Sequence, residues 1–226
     1  METLKLFISW IPALLDGARI TVALTITSVS MGVFLGVFLA LGKISKKTVL
    51  NKLCSAYIFF FRGTPLLMQL FFIYYALPMI SPVFLLPVKN QELNRFIYAF
   101  IAFSLNVAAY AAEIIRAAIQ SIDKGQFEAS RALGLSYAQT MRLVILPQSV
   151  RRLIPPIGNE FIMMLKDTSL VSMIALIDIT RATRNIENST RSALVYIPAM
   201  ILYLIITWVF TFILKKLEKK YSVYGQ

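Results

Sequence analysis

Apolar residues in this chain fall in long blocks, separated by short polar and mostly basic stretches. From Ile20 to Leu41 no charged residue occurs over 22 positions, and a helix needs about 20 mostly apolar residues to cross a bilayer. A first membrane span is predicted there. Its Gly32-x-x-x-Gly36 pair either admits a close-packing helix or is a pair of membrane glycines without a partner. The preceding stretch, Met1 to Asp16, has one lysine, Pro12 and no small-x-small cleavage pattern. It reads as a lead-in lying at the membrane interface rather than a removed signal peptide. A second block, Leu53–Phe61 with Leu66–Leu77, is divided by Arg62-Gly63-Thr64-Pro65. Proline lacks an N–H and clashes with the turn before it, so this span should be kinked or discontinuous.

A third span is predicted over Phe96–Ile115. The fourth, Leu153–Leu165, is punctuated by Pro155, Pro156, Gly158, Asn159 and Glu160 and should be interrupted, as helices that line transporter sites often are. Thr168–Ile179 is apolar but too short to cross as a helix, and Thr180–Arg191 reads as a polar loop. Ala193–Leu214 makes the last span. The sum is an all-α integral membrane protein of about five helices in one domain, residues 1–226.

Composition removes the main alternative. Hydrophobic residues make up 58% of the chain and charged ones 15%, against roughly 45–50% and ~25% in soluble domains. A net charge of +12 raises the question of nucleic acid, but the positives lie in short loops with no RNA-binding aromatic pattern. They act instead as topology signals. Lys43–Lys52, Arg116–Arg152 and Lys215–Lys220 hold the unbalanced positives, which places the N-terminus outside and the C-terminus in the cytoplasm. Cys54 is the single cysteine and there is no histidine. No disulfide within the chain and no metal site is expected, and Cys54 reads as a small packing residue.

One cytoplasmic segment, about 124–138, has a spacing of its own. It runs Gln126-Phe127-Glu128-Ala129-Ser130-Arg131-Ala132-Leu133-Gly134-Leu135, and Val144-Ile145-Leu146-Pro147 comes after a gap. This resembles the Glu-Ala-Ala…Gly…Ile-x-Leu-Pro signature of membrane subunits of ATP-binding-cassette (ABC) importers, with Ser130 for the second alanine and Val144 for the isoleucine. Phe60–Leu67, Ala109–Arg116 and Lys166–Val171 are similar to stretches of the polar amino acid permeases, the histidine/glutamine branch. The resemblance covers roughly Asp16 to Tyr221. It implies the type I importer fold, with a coupling helix that docks in the ATPase. The implied docking residues are Glu128, Ala129, Ser130, Ala132, Gly134 and Leu135. The residue types fit independently. Alanine and serine permit close approach, Gly134 can supply a left-handed turn that ends a helix, and Glu128 near the helix start suits the positive dipole end.

The resemblance further implies a homodimer of permeases on two ATPase subunits, in the inner membrane of a bacterial cell, fed by an extracytoplasmic amino-acid-binding protein. This chain needs no cofactor, and ATP with magnesium binds the ATPase partner. Gly36 to Ile44 looks like a nucleotide loop but has the wrong spacing and ends. The chain itself is therefore not read as an enzyme. Asn188-Ser189-Thr190 is a chance glycosylation pattern. An ion-coupled secondary transporter is the alternative class, and it would not need the Glu-Ala-Ser…Gly…Leu-Pro segment.

Ionisable groups inside spans cost about 2.5–3.5 kcal/mol each on insertion scales and mark function or pairing. Asn106, Tyr110 and Glu113 recur on one face of the third span. Glu160 and Asp167, with Asn159, Met163 and Met164 beside them, mark the fourth. Facing one another, they would form a polar pocket with apolar walls. Glu160 is the first candidate to bind a cationic substrate group, and Asn106 could bridge amine or carboxylate. Glu113 reads more readily as a structural partner of Arg116, and Asp167 as the N-cap of the Thr168–Ile179 segment. Arg62 either holds a substrate carboxylate or pairs with a buried acid. A carboxylate in an apolar cavity is best compensated by a cation, so arginine, lysine or histidine is the expected substrate and glutamine the alternative.

Overall fold

The computed structural model describes residues 2–222, which are helical almost throughout and contain no strand. Helix α1 (Glu2–Ile44) is unbroken for 43 residues. The expected interface lead-in is thus not a separate element. Trp10, Leu14 and Ala18 continue the first span and pack with Ile179, Ala182, Val195 and Ala199, so Pro12 is absorbed near the start of a long helix.

The most extensive packing in the chain joins α1 to α5 (Gln91–Gln120). Helices in lipid gain little from hydrophobicity against one another, so association depends on close backbone approach by small residues. Gly32 lies against Val107, where an added Cβ would come within 2.5 Å of the valine Cβ, and one at Gly36 would come within 2.8 Å of the Ala111 Cβ. The glycine pair does have a partner, and it is α5 of the same chain. Asn90 starts α5 by accepting the Glu92 and Leu93 N–H groups at 2.9 and 3.0 Å.

Helix α2 (Thr48–Gly63) ends at the predicted break. The chain resumes as α3 (Leu66–Phe71), passes one π turn and closes with α4 (Leu77–Ile80). The two halves meet at 106°. The cytoplasmic segment folds as α6 (Lys124–Ala132) and α7 (Tyr137–Thr140) before α8 (Leu146–Asp167). By length and apolarity α1, α5 and α10 (Tyr196–Ser222) can cross a membrane, and the bent α2–α4 pair can supply a fourth span. Helix α8 is long enough, about 33 Å at 1.5 Å per residue, but too polar to register by composition. Its packing on α1, α5 and α10 makes it the fifth member of the bundle.

Three sequence readings need correction. Helix α8 is not interrupted: Pro155 and Pro156 lie inside it, since proline's φ is helical and its cost is a lost hydrogen bond. Gly158 serves packing instead, with Leu214 of α10 at 3.3 Å from where a Cβ would sit. Asp167 does not cap the Thr168–Ile174 stretch. Its backbone is helical, its side chain makes no capping bond, and the chain tightens there into a 3-10 helix. The polar stretch beyond is no loop but helix α9 (Ile179–Thr190), capped by the fully buried Asp178, which accepts the Thr180 and Arg181 N–H groups at 3.0 and 2.8 Å.

Candidate functional site

The site begins with an orphaned carbonyl. Pro65 has no N–H to give the carbonyl of Phe61, four residues earlier, and a bare carbonyl inside a membrane costs several kcal/mol. Gln69 donates its side-chain amide to that oxygen at 2.9 Å and to the Thr64 carbonyl at 3.0 Å. Asn106 of α5 donates to the same Phe61 oxygen at 3.3 Å and to Gln69 Oε1 at 2.9 Å. The helix break is thereby tied to α5. Both donor bonds of Asn106 go to the chain itself, a duty that the reading of Asn106 as a substrate bridge does not anticipate. Gln69 is a site residue that sequence reasoning missed; a lone amide four residues after a membrane proline was the available signal.

One helical turn beyond Asn106, α5 presents Tyr110 and then Glu113. Three cations converge on the Glu113 carboxylate. Arg116 approaches at 2.7 Å, Lys43 from the end of α1 forms a second ion pair, and Arg62 lies at 4.0 Å. Glu113 thus has three cationic partners within the chain, Arg116 among them. Lys43, by sequence only a loop charge, joins the group through the fold. The Arg62 guanidinium also stands over the Tyr110 ring, 5.3 Å from its centre. Lys43, Arg62 and Tyr110 line one cleft of about 370 Å³.

Glu160 is buried on α8. Among the described residues no ion pair or hydrogen bond reaches its carboxylate. The charges near enough to act on it are Asp167, two turns along the same helix, and Arg62. Arg62 lies 4.0 Å from Glu113 and pairs with neither oxygen of Glu160, and among the described residues no hydrogen bond or ion pair joins Asn106, Tyr110 or Glu113 to Glu160. The other α8 candidates point in different directions: Met164 is buried in the core beside Leu70 and Phe103, while Asn159 and Met163 are exposed. Asp167 is half-buried. Among the described residues no His, Cys, Asp or Glu cluster is placed to hold a metal ion.

At the other end of the molecule, α6 is sharply bounded. Asp123 caps its start by accepting the Gly125 N–H at 2.6 Å, so Glu128 falls in mid-helix rather than at the positive end. Gly134, at φ +76°, ends it. The Gly134 N–H bonds to Arg131 O at 2.9 Å and the Leu135 N–H to Ser130 O at 3.0 Å, the two bonds of a Schellman stop. Glu128, Ala129, Ala132 and Gly134 are exposed and Leu135 is half-buried, while Ser130 turns inward and bonds Gln126 O.

A helical membrane bundle with a buried carboxylate inside it and a capped helix projecting from one end has the makings of a transport component. Residues 32–223 match the family described as "Binding-protein-dependent transport system inner membrane component", and the chain belongs to that family. It is 41% identical over 218 residues to the L-cystine transport system permease protein TcyB of Bacillus subtilis (strain 168), covering 96% of this chain and 89% of TcyB. It is 36% identical over 214 residues to the glutamine transport system permease protein GlnP of Escherichia coli (strain K12), covering 94% of each. The structure described as "Crystal structure of an amino acid ABC transporter with histidines" superposes with a TM-score of 0.86 at 37% identity, over 94% of this chain and 96% of that one. This protein is the permease subunit of an amino-acid ABC transporter, a multi-pass inner-membrane protein without a cofactor of its own, and ATP hydrolysis belongs to a separate ATPase subunit. Membership also implies a substrate-binding protein as partner.

Proposed function

We infer that this permease passes an amino acid bearing a cationic side chain, with Glu160 receiving a positive group of the substrate. The observation that carries this reading is the Glu160 carboxylate itself, buried on α8 without a hydrogen bond or ion pair among the described residues. A buried carboxylate is stable when a cation compensates it; among the described residues no cation pairs with Glu160, and the nearby Arg62 is shared with Glu113 and Tyr110. In this reading Arg62, whose 4.0 Å pair with Glu113 is the longest of the three, turns to the substrate carboxylate while Glu160 meets the ammonium or guanidinium. The structural relative described as solved with histidines supports a basic substrate. The glutamine permease among the relatives supports a second reading, in which the α-ammonium alone satisfies Glu160.

Two identical copies form the path. The apolar stretch of α10 is only 6% buried, against 61% for α5, so that face is left for lipid or a second subunit. The N-terminus lies outside and the C-terminus in the cytoplasm. Residues 128–147 couple the pair to two ATPases holding ATP and magnesium, through Glu128, Ala129, Ala132, Gly134 and Leu135, with Ser130 anchoring the helix from within. The test is uptake by proteoliposomes holding the permease, its ATPase and its binding protein. ATP-dependent accumulation of arginine, lysine or histidine well above glutamine is expected. Accumulation of glutamine alone would overturn the basic-substrate reading.

A further inference from the structure

A cleft of about 850 Å³ lies where α1 and α5 end and α6 and α7 begin. It shares no lining residue with the groups around Glu113 and Glu160, though its Gln120 accepts a bond from Arg116. Its walls are apolar and aromatic: Leu41 and Ile44 continue the membrane face of α1, and Phe127 and Tyr137 close the opposite side. Two lysines, Lys46 and Lys124, stand in the same lining, and no carboxylate does. Neither lysine makes an ion pair among the described residues. The acid beside Lys124, Asp123, is committed to the Gly125 N–H.

We propose that this cleft holds one anionic phospholipid, its phosphate between Lys46 and Lys124 and its upper acyl carbons against Leu41, Ile44 and Phe127. Three features favour a lipid over a soluble phosphate or a protein segment. The walls are mostly apolar, and a free anion gains nothing from them. The cleft opens at the ends of membrane helices, where basic pockets meet anionic headgroups. On α6, Phe127 and Ser130 turn inward while Glu128, Ala129 and Ala132 face outward, so the face offered to an ATPase adjoins the cleft without filling it. Placing the cleft at the cytoplasmic leaflet rests on the orientation inferred from the basic loops; the binding of the lipid does not. A lipid held there would tie the membrane helices α1 and α5 to the coupling segment.

The test uses the assembled transporter in neutral detergent, which has no sidedness, so it fails or succeeds independently of topology. The complex is titrated with phosphatidylglycerol or with phosphatidylcholine of equal chain length, and retained lipid is counted by native mass spectrometry. Preferential retention of phosphatidylglycerol is expected, weakened roughly 5-fold for each lysine removed in Lys46→Gln and Lys124→Gln. Both are exposed positions, so folding should be spared. The Lys216→Gln/Lys220→Gln control, in the basic tail, should retain lipid as before. Unchanged retention in the Lys46→Gln/Lys124→Gln double variant overturns the proposal. So does competition by glycerol phosphate as effective as that of the whole lipid. Shielding of both lysines from acylation by the ATPase in the absence of lipid would assign the cleft to that subunit and also overturn it.

Discussion

Gln69→Leu removes the tie across the helix break while keeping the side chain's bulk. In the native chain the Gln69 amide serves the Phe61 and Thr64 carbonyls at 2.9 and 3.0 Å, and its oxygen receives Asn106 at 2.9 Å. The substitution leaves the Thr64 carbonyl and one Asn106 N–H without partners, while Phe61 keeps only the 3.3 Å bond from Asn106. Unsatisfied buried groups cost about 1–3 kcal/mol each, and partial relaxation brings the sum to about 3 kcal/mol. A chain of this size should then lose roughly 6–12 °C in Tm. Thermal unfolding of the purified complex in one detergent reads the loss. The decisive arm is a cycle with Pro65→Ala, which returns an N–H four residues after Phe61 and releases Thr64 from the extended backbone that a following proline demands. In that background Gln69→Leu should cost about half as much. An equal loss in both backgrounds, or a Tm shift under about 2 °C in the native one, would refute the role assigned to Gln69.

Three further outcomes are expected. Glu113→Gln leaves Lys43, Arg62 and Arg116 facing one another with no counter-charge; with Glu113 16% exposed and its partners partly open to solvent at 26–45%, a loss of about 2 kcal/mol is expected in thermal unfolding, partly recovered by adding Lys43→Met. Gly134→Ala strains a residue at φ +76° by about 1 kcal/mol and should leave coupling measurable, whereas Gly134→Glu should abolish substrate-stimulated ATPase activity with membrane insertion intact; stimulated activity retained in Gly134→Glu would remove α6 from coupling. In a Cys54→Ala background, Lys46→Cys should react with an impermeant maleimide only from the cytoplasmic side and Lys89→Cys only from outside, and the reverse pattern would invert the topology.

The sequence showed those features that depend on a single residue's covalent limits. Pro65 had to break a membrane helix, and Gly134 was suited to a left-handed stop. Features that depend on a partner were harder to read. The Gly32–Gly36 pair was legible as a packing surface, but its partner α5 was not. Pro155 and Pro156 suggested a break because a lost hydrogen bond is visible in sequence and the compensating packing of Gly158 on α10 is not. Helix α9 was missed because a search for apolar runs detects spans, not a short amphipathic helix capped by Asp178. At the site, the carboxylates were found as rare charges in apolar runs. Of the three cations on Glu113, Arg116 was legible as a neighbour on the same helix, but Lys43 and Arg62 come from two other helices that only the fold brings to it.

The central claim is that Glu160 receives a positive group of the substrate, and Glu160→Gln tests it most directly. The variant preserves shape and removes the charge. Uptake of a basic amino acid is measured in proteoliposomes with ATPase and binding protein present, beside basal ATPase activity as a control for folding and assembly. Loss of one buried, charge-assisted contact of about 1.5–3 kcal/mol should lower kcat/KM for uptake roughly 10- to 150-fold while basal ATPase activity persists. Undiminished uptake of the basic amino acid with intact ATPase activity would contradict the claim, and the assignment of a cationic substrate would fall with it.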